Sequence, residues 1–319
     1  MSRNPGSDSV ITIDCHYYQP ERAAAFLVVE DGRAAFVDNN TVFAAPLMLK
    51  ALRDRGLQPE QVEYLIVTHV HLDHAGGTSA LLKQCPNATV LTHPRAARHL
   101  INPSRLIESS KQVYGEEAYN RIYGVIEPAD ERRVRSMDDG EQVTFGGRTL
   151  TFLHTRGHAN HHLVIHDTGS NAVFTGDSFG ISYPAVHRGR RRYITCSCTP
   201  TEFDAAEARI SAQKIVATGA ERAYLTHYGV YAPLSEGAAL LLQSIDQMEE
   251  ILQEAVGVPK HGEDLIEHIE QRIRVATEEM ITKQCGVALT ESDRPWLEYD
   301  THLNAMGLAY LAEKAKRKQ

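Results

Sequence analysis

Apolar positions along the chain follow two periods, and the change from one to the other divides it. Between residues 22 and 38 the run AAAFLVVE, a turn at Asp31-Gly32 and the run RAAFVD read as two strands joined by a tight hairpin. Residues 42–56 read as a helix, VEYLIVTHV at 62–70 as a β-branched strand that ends among histidines, and GGTSALLKQ as another helix. Residues 94–126 carry helical character without a strand signal, and PADERRVRSMDDG reads as a surface connection. Two hairpins follow, QVTF with RTLTFLHT across Gly146-Gly147, and HLVIH with AVFTGD across DTGSN. A helix over 201–219 and a short strand in RAYLTHYG complete this part.

Past residue 235 only helical spacing remains. Leu240, Leu241, Ile245, Met248, Ile251 and Leu252 mark one helix, Leu265, Ile266, Ile269 and Ile273 a second, and a third lies near 301–316. The expected organisation is therefore an α/β domain over 1–235 and a helical extension over 236–319.

Composition narrows the function classes. Of 319 residues, 42% are hydrophobic and 23% charged, enough apolar material for a packed core. A formal charge of -8 argues against a protein that wraps a nucleic-acid backbone. The beginning MSRNPGSDSV lacks the apolar stretch of a secretory signal, and no apolar run is long enough to span a bilayer, so no membrane partner and a cytoplasmic location are expected. Five scattered cysteines do not form a disulfide framework. Cys196 and Cys198, two apart, are expected to pack singly and are assigned no chemistry.

The 16 histidines change the picture, because several cluster. His69, His71, Asp73 and His74 form HxHxDH, and three histidines at fixed offsets arise by chance at roughly one start in ten thousand at this composition. Two apart on an extended segment, His69 and His71 project to the same side and can share one cation. A turn into helix near residue 73 redirects Asp73 and His74 toward a second. Further ligands are then expected at other strand ends, and His158 after RTLTFLHT, Asp177 after AVFTG and His227 after RAYLT fill that role. We assign His69, His71 and His158 to one ion, Asp73, His74 and His227 to the other, and Asp177 as the bridging carboxylate. Imidazole and carboxylate without thiolate suit two divalent ions, zinc by default, with iron and manganese as alternatives. Such a centre activates water near neutral pH and polarises a carbonyl or phosphoryl oxygen.

With these residues assembled, the chain resembles the metallo-β-lactamase superfamily over approximately residues 20–232: THVHLDHAGG is similar to its signature, TRGHANHH to its GH-containing segment, FTGD to its bridging-aspartate motif and LTHYG to its last histidine segment. The resemblance implies an αββα sandwich with a dinuclear site at one edge, followed here by the C-terminal helices. It implies a buried structural role for Asp38, set against the alternative of a strand-end turn residue, and a structural role for His162; His154 and His161 are expected beside the site or at the surface. Within the superfamily the ligand set is most similar to type II glyoxalases, lactonases and quorum-signal thioesterases. The implied function is hydrolysis of a thioester, ester or lactone of a small, anionic substrate by a metal-bridging hydroxide, with Asp73 as the catalytic residue that orients the nucleophile and relays its proton. The alternatives are a phosphodiesterase or nuclease of the same superfamily, and a regulatory metal-binding protein acting through its helical tail. That tail caps the site or forms a homodimer interface, and the sequence leaves both open. On the substrate side, Arg188 and Arg190 in HRGRRRY are candidates for an anionic group, and Tyr193 and Tyr228 for a carbonyl oxygen.

Overall fold

The computed structural model describes residues 9–188, 192–198 and 201–318, which divide into two compact units. Of the described residues, the first unit holds those up to His154, His161–Gly176 and Ala220–Tyr231; the second holds Thr155–Asn160, Asp177–Gly219 and those from Ala232 onward.

In the first unit, β1 (Val10–Asp14), β2 (Ala24–Glu30), β3 (Arg33–Val37), β4 (Val62–Val67), β5 (Thr89–Thr92) and β6 (Val134–Ser136) pair in that order into one sheet. The first three are antiparallel and the steps from β3 to β6 are parallel. Parallel steps require crossovers, which are supplied by α1 (Ala45–Asp54), then α2 (Leu72–Ala75) and α3 (Thr78–Gln84), then α4 (Pro94–Ile101), α5 (Ser104–Tyr114) and α6 (Glu116–Tyr123). A second sheet runs through β7 (Gln142–Phe145), β8 (Arg148–His154), β9 (Leu163–Asp167), β10 (Ala172–Gly176), β11 (Arg222–Leu225) and β12 (Gly229–Tyr231), antiparallel except between β10 and β11.

Phe26, Val28, Val37 and Ile66 of the first sheet share a core with Phe145, Phe152, Ile165 and Phe174 of the second. The other face of the first sheet, with Leu27, Phe36 and Leu65, packs on Met48 and Leu52 of α1 and Leu81 of α3. Strands covered on both faces have no polar side, which is why β2 and β4 read as continuous apolar runs. β6 departs from the sequence reading, which had a surface connection there. It is a three-residue, largely exposed edge strand beside β5, so it has no apolar face to show in its sequence. β1, β5 and β12, of five, four and three residues, are further short strands that periodicity did not separate from their surroundings.

Two polar contacts pin the first unit. Arg148 is buried, bonded through Nε and Nη2 to Glu30 and through Nη1 to Asp167 at 2.7 Å, so one guanidinium joins the end of β2 to the end of β9. Gly77 brings the HAGG segment against the chain after β3: its N–H donates to Asn40 O at 2.7 Å, and Asn39 N–H donates to His74 O at 2.7 Å. A Cβ at Gly77 would lie 2.2 Å from Asn39 O and 2.7 Å from Thr41 O, so only glycine allows this approach.

The second unit contains α7 (Ala205–Val216), α8 (Leu234–Gly257), α9 (Gly262–Cys285) and α10 (Arg294–Lys316). The spacing expected for α8 is met by buried Leu241, Ile245, Met248 and Ile251, and that for α9 by buried Leu265, Ile269 and Ile273. α10 begins at Arg294, earlier than its apolar spacing indicates, because Pro295 in its first turn fixes a helical φ before any core residue appears. Its buried face is mostly small, with Ala305, Ala309 and Ala312 beside Leu308, which lets α10 approach α8 and α9 closely. Among the described residues no helix is long and apolar enough to cross a membrane.

Gly77→Ala is expected to lower unfolding stability by roughly 1–3 kcal/mol through forced backbone displacement, seen as a reduced urea midpoint with an unchanged slope.

Candidate metal centre

Each proposed ligand follows a strand. β4 ends at Val67, Thr68 to His71 remain extended, and α2 begins at Leu72, so the chain turns from strand to helix inside HxHxDH. His69 Nε2 and His71 Nδ1 stand 2.9 Å apart. Two imidazole nitrogens that close either share a proton or share a cation. Asp73 and His74 follow on the helical turn, and the His74 ring stays beside His69 with centroids 4.1 Å apart. His227, after β11, meets them: its Nε2 is 3.2 Å from Asp73 Oδ2, and His74 Nε2 is 3.9 Å from the same oxygen. Asp73, His74 and His227 each place one ligand atom within 4.8 Å of the others.

The rest of each ring is held by the protein. His74 Nδ1 is 2.8 Å from Asp38 Oδ2, with both side chains fully buried. Asp38 also accepts from Thr68 N–H at 2.9 Å, from the Thr68 hydroxyl, and from the Thr226 hydroxyl at 2.6 Å. This is the structural role implied by resemblance; Asp38 is no exposed turn residue. His227 Nδ1 is 2.9 Å from Arg22 O. A carbonyl only accepts, so His227 donates to it from Nδ1, and Nε2 is the ring atom turned toward Asp73 and placed to ligate a cation. His162, fully buried, stacks on His69 with ring centroids 4.7 Å apart.

In the second unit His158 and Asp177 repeat the arrangement. His158 Nδ1 is 3.2 Å from Ser197 O, and its Nε2 is 3.5 Å from Asp177 Oδ2. The preceding Gly157 has φ +113, and a Cβ there would lie 2.4 Å from the Ala208 backbone nitrogen in α7, which accounts for glycine before this histidine. His69, His71, Asp73, His74 and His227 thus belong to the first unit, and His158 and Asp177 to the second.

The substrate-side candidates are placed differently. Tyr228 follows His227 directly, and burial, then Asp14 and Glu21, push its phenol up to about 12, so it remains a hydrogen-bond donor at neutral pH. Tyr193 is fully buried, its hydroxyl accepting from Tyr183 N–H at 3.0 Å. The Arg188 guanidinium is tied to Asp293 and leaves 28% of its side chain exposed. Arg190 lies outside the described residues. The groups the motifs did not reveal are the acceptors and clamps behind the ligands: Thr68, Thr226, and the carbonyls of Arg22 and Ser197. Backbone carbonyls leave no mark in a sequence.

Comparison with known proteins places the chain in context. The profile described as Metallo-beta-lactamase superfamily matches residues 19–227, about two-thirds of the length. A metallo-beta-lactamase fold-containing protein of Sulfurisphaera tokodaii is 31% identical over 131 residues, 40% of this chain and 48% of that protein. A hydroxyacylglutathione hydrolase of Aeromonas salmonicida is 28% identical over 119 residues, 37% of this chain and 34% of the relative. The matches thus span about half or less of these curated relatives' lengths. Among solved structures, an archaeal metallo-beta-lactamase superfamily protein from Sulfolobus tokodaii superposes with a TM-score of 0.65 at 19% identity, covering 94% of this chain and 98% of that one, a likeness of fold.

Replacing Asp38 by Asn is expected to lower zinc affinity roughly 10–100-fold by releasing the His74 ring, and His227→Ala by at least as much. Competition with a chromogenic chelator measures both, with circular dichroism reporting that the fold is retained.

Proposed function

Because the chain belongs to the metallo-beta-lactamase superfamily, we propose that it is a metal-dependent hydrolase of a small thioester, ester or lactone. The observation that carries this reading is the convergence of His74 Nε2 and His227 Nε2 on one oxygen of Asp73, with each ring's Nδ1 side held by Asp38 or by the Arg22 carbonyl. These are nitrogen and oxygen donors with fixed orientation and no thiolate, a set that fits zinc, iron or manganese. Asp73, His74 and His227 of the first unit would hold a divalent ion, and His69 and His71 beside them offer two further nitrogen donors. A bound divalent ion supplies Lewis acidity and lowers the pKa of water enough for attack near neutral pH.

The remaining work falls to the chain's own groups. Asp73, 21% exposed and therefore reachable by solvent, orients the attacking water and accepts its proton. Tyr228, still protonated at neutral pH, donates a hydrogen bond to the substrate carbonyl as charge builds on its oxygen. A thioester is favoured by the relative named for hydrolysis of hydroxyacylglutathione, an acyl derivative of glutathione. Zinc is the proposed native ion, and the cytoplasm the proposed location.

Chelation to a verified metal-free state is expected to abolish hydrolysis across a panel of acyl-thioesters, lactones and phosphodiesters, and zinc to restore it for thioesters or lactones. Undiminished turnover by the metal-free protein would refute the reading. Asp73→Asn is expected to lower kcat by about 100-fold or more, with KM moving far less.

A further inference from the structure

We propose that Cys196 and Cys198 form a reversible thiol–disulfide pair, oxidised by a small hydroperoxide, whose closure withdraws the Ser197 carbonyl from His158. The two sulfurs are buried and 3.7 Å apart, so the expectation that they pack singly is replaced by direct contact. Closing to a disulfide at ~2.05 Å moves them together by roughly 1.7 Å, within reach of side-chain rotation and a local backbone adjustment. Cys196 N–H is held by Ser244 Oγ at 2.9 Å, while the Cys198 N–H, held by Asn304 Oδ1 at 2.7 Å, shares one planar peptide with the Ser197 carbonyl, so drawing Cys198 toward Cys196 rotates that carbonyl with it. That carbonyl is the acceptor for His158 Nδ1 at 3.2 Å.

The surroundings also select the oxidant. A cavity of about 10 Å³ is bordered by Gly157, His158, Asp177, Cys196, Leu241 and Ile245, space on the scale of a water molecule. Hydrogen peroxide, the smallest hydroperoxide, is the oxidant such confined surroundings admit most readily, and a bulky disulfide the least. Contacts from Cys198 and from the Ser244 hydroxyl at 3.6 Å favour the anionic sulfur at Cys196, which makes it the attacking group. Its sulfur attacks one peroxide oxygen, the O–O bond breaks, and one water leaves with the thiol proton, giving a sulfenic acid. The Cys198 sulfur then attacks the sulfenic sulfur, the S–O bond breaks, and a second water leaves with the Cys198 proton. Two thiols lose two electrons and two protons, and hydrogen peroxide becomes two waters. A dithiol reverses the step.

The disulfide stands apart from the metal-hydrolase reading, and its effect on cation binding rests on that reading. The test is stoichiometric hydrogen peroxide on the full chain, followed by peptide mapping of every cysteine and zinc affinity by chelator competition before and after. The expected result is a Cys196–Cys198 bridge reversed by dithiothreitol, with Cys15, Cys85 and Cys285 still reduced. Zinc affinity is expected to fall roughly 10–100-fold. Cys198→Ser should instead show a dimedone-reactive Cys196 and no bridge. A reduced pair after treatment, or prior oxidation of the other cysteines, overturns the disulfide. A formed bridge with unchanged zinc affinity overturns the coupling to His158. A reduced protein that binds no zinc overturns the metal reading and that coupling, while the peptide map still decides the disulfide.

Discussion

A carboxylate removed from water is costly unless its oxygens are filled, and Asp38 fills them from parts of the chain far apart in sequence. Thr68 stands at the end of β4, His74 on the short helix that follows, and Thr226 at the end of β11 in the other sheet. One side chain thereby fixes the relative positions of three strand ends and of a histidine that faces Asp73. The two sheets meet along an apolar core with no directional contacts, so their alignment at this edge depends on a polar group of this kind. Arg148 does the corresponding work near the ends of β2 and β9, where its guanidinium spans Glu30 and Asp167. The sandwich is apolar in bulk and specified at its ends by buried charge.

Much of this was legible in the chain because the signals were redundant. Strands in the first sheet are buried on both faces, and the resulting apolar runs stand out against the helical spacing of α8 and α9. HxHxDH combines four candidate ligands of two types within six residues, and the chain turns from strand into α2 inside it. Asp38 lay in plain view, yet one aspartate after a strand also suits a turn; only its partners at Thr68, His74 and Thr226 distinguish the roles. The short strands β5 and β6 escaped notice for an opposite reason, since three or four residues carry too few positions to establish any period.

The substrate-side residues illustrate a second limit. Charge and proximity in sequence drew attention to Arg188, but Asp293 at the start of α10 engages its guanidinium, a partner 105 residues away that no local pattern indicates. Tyr193 turned out to be fully buried and to serve as an acceptor for the Tyr183 backbone. Tyr228 owes its chemical state to burial and to Asp14 and Glu21, which come from β1 and the loop after it. Motifs single out the candidate ligands because those groups recur at strand ends. Groups that would choose a substrate answer to distant neighbours instead.

The clamped rings have a consequence for how a cation would be held. A free histidine side chain loses rotational freedom when it ligates, and that loss weakens binding. His74, His158 and His227 have surrendered it on folding, through Asp38, the Ser197 carbonyl and the Arg22 carbonyl. Binding energy is then returned to the fold as added stability in proportion to the logarithm of free cation concentration. Retention of an ion would then be a property of the native fold, and opening of the strand ends that carry these rings would release it.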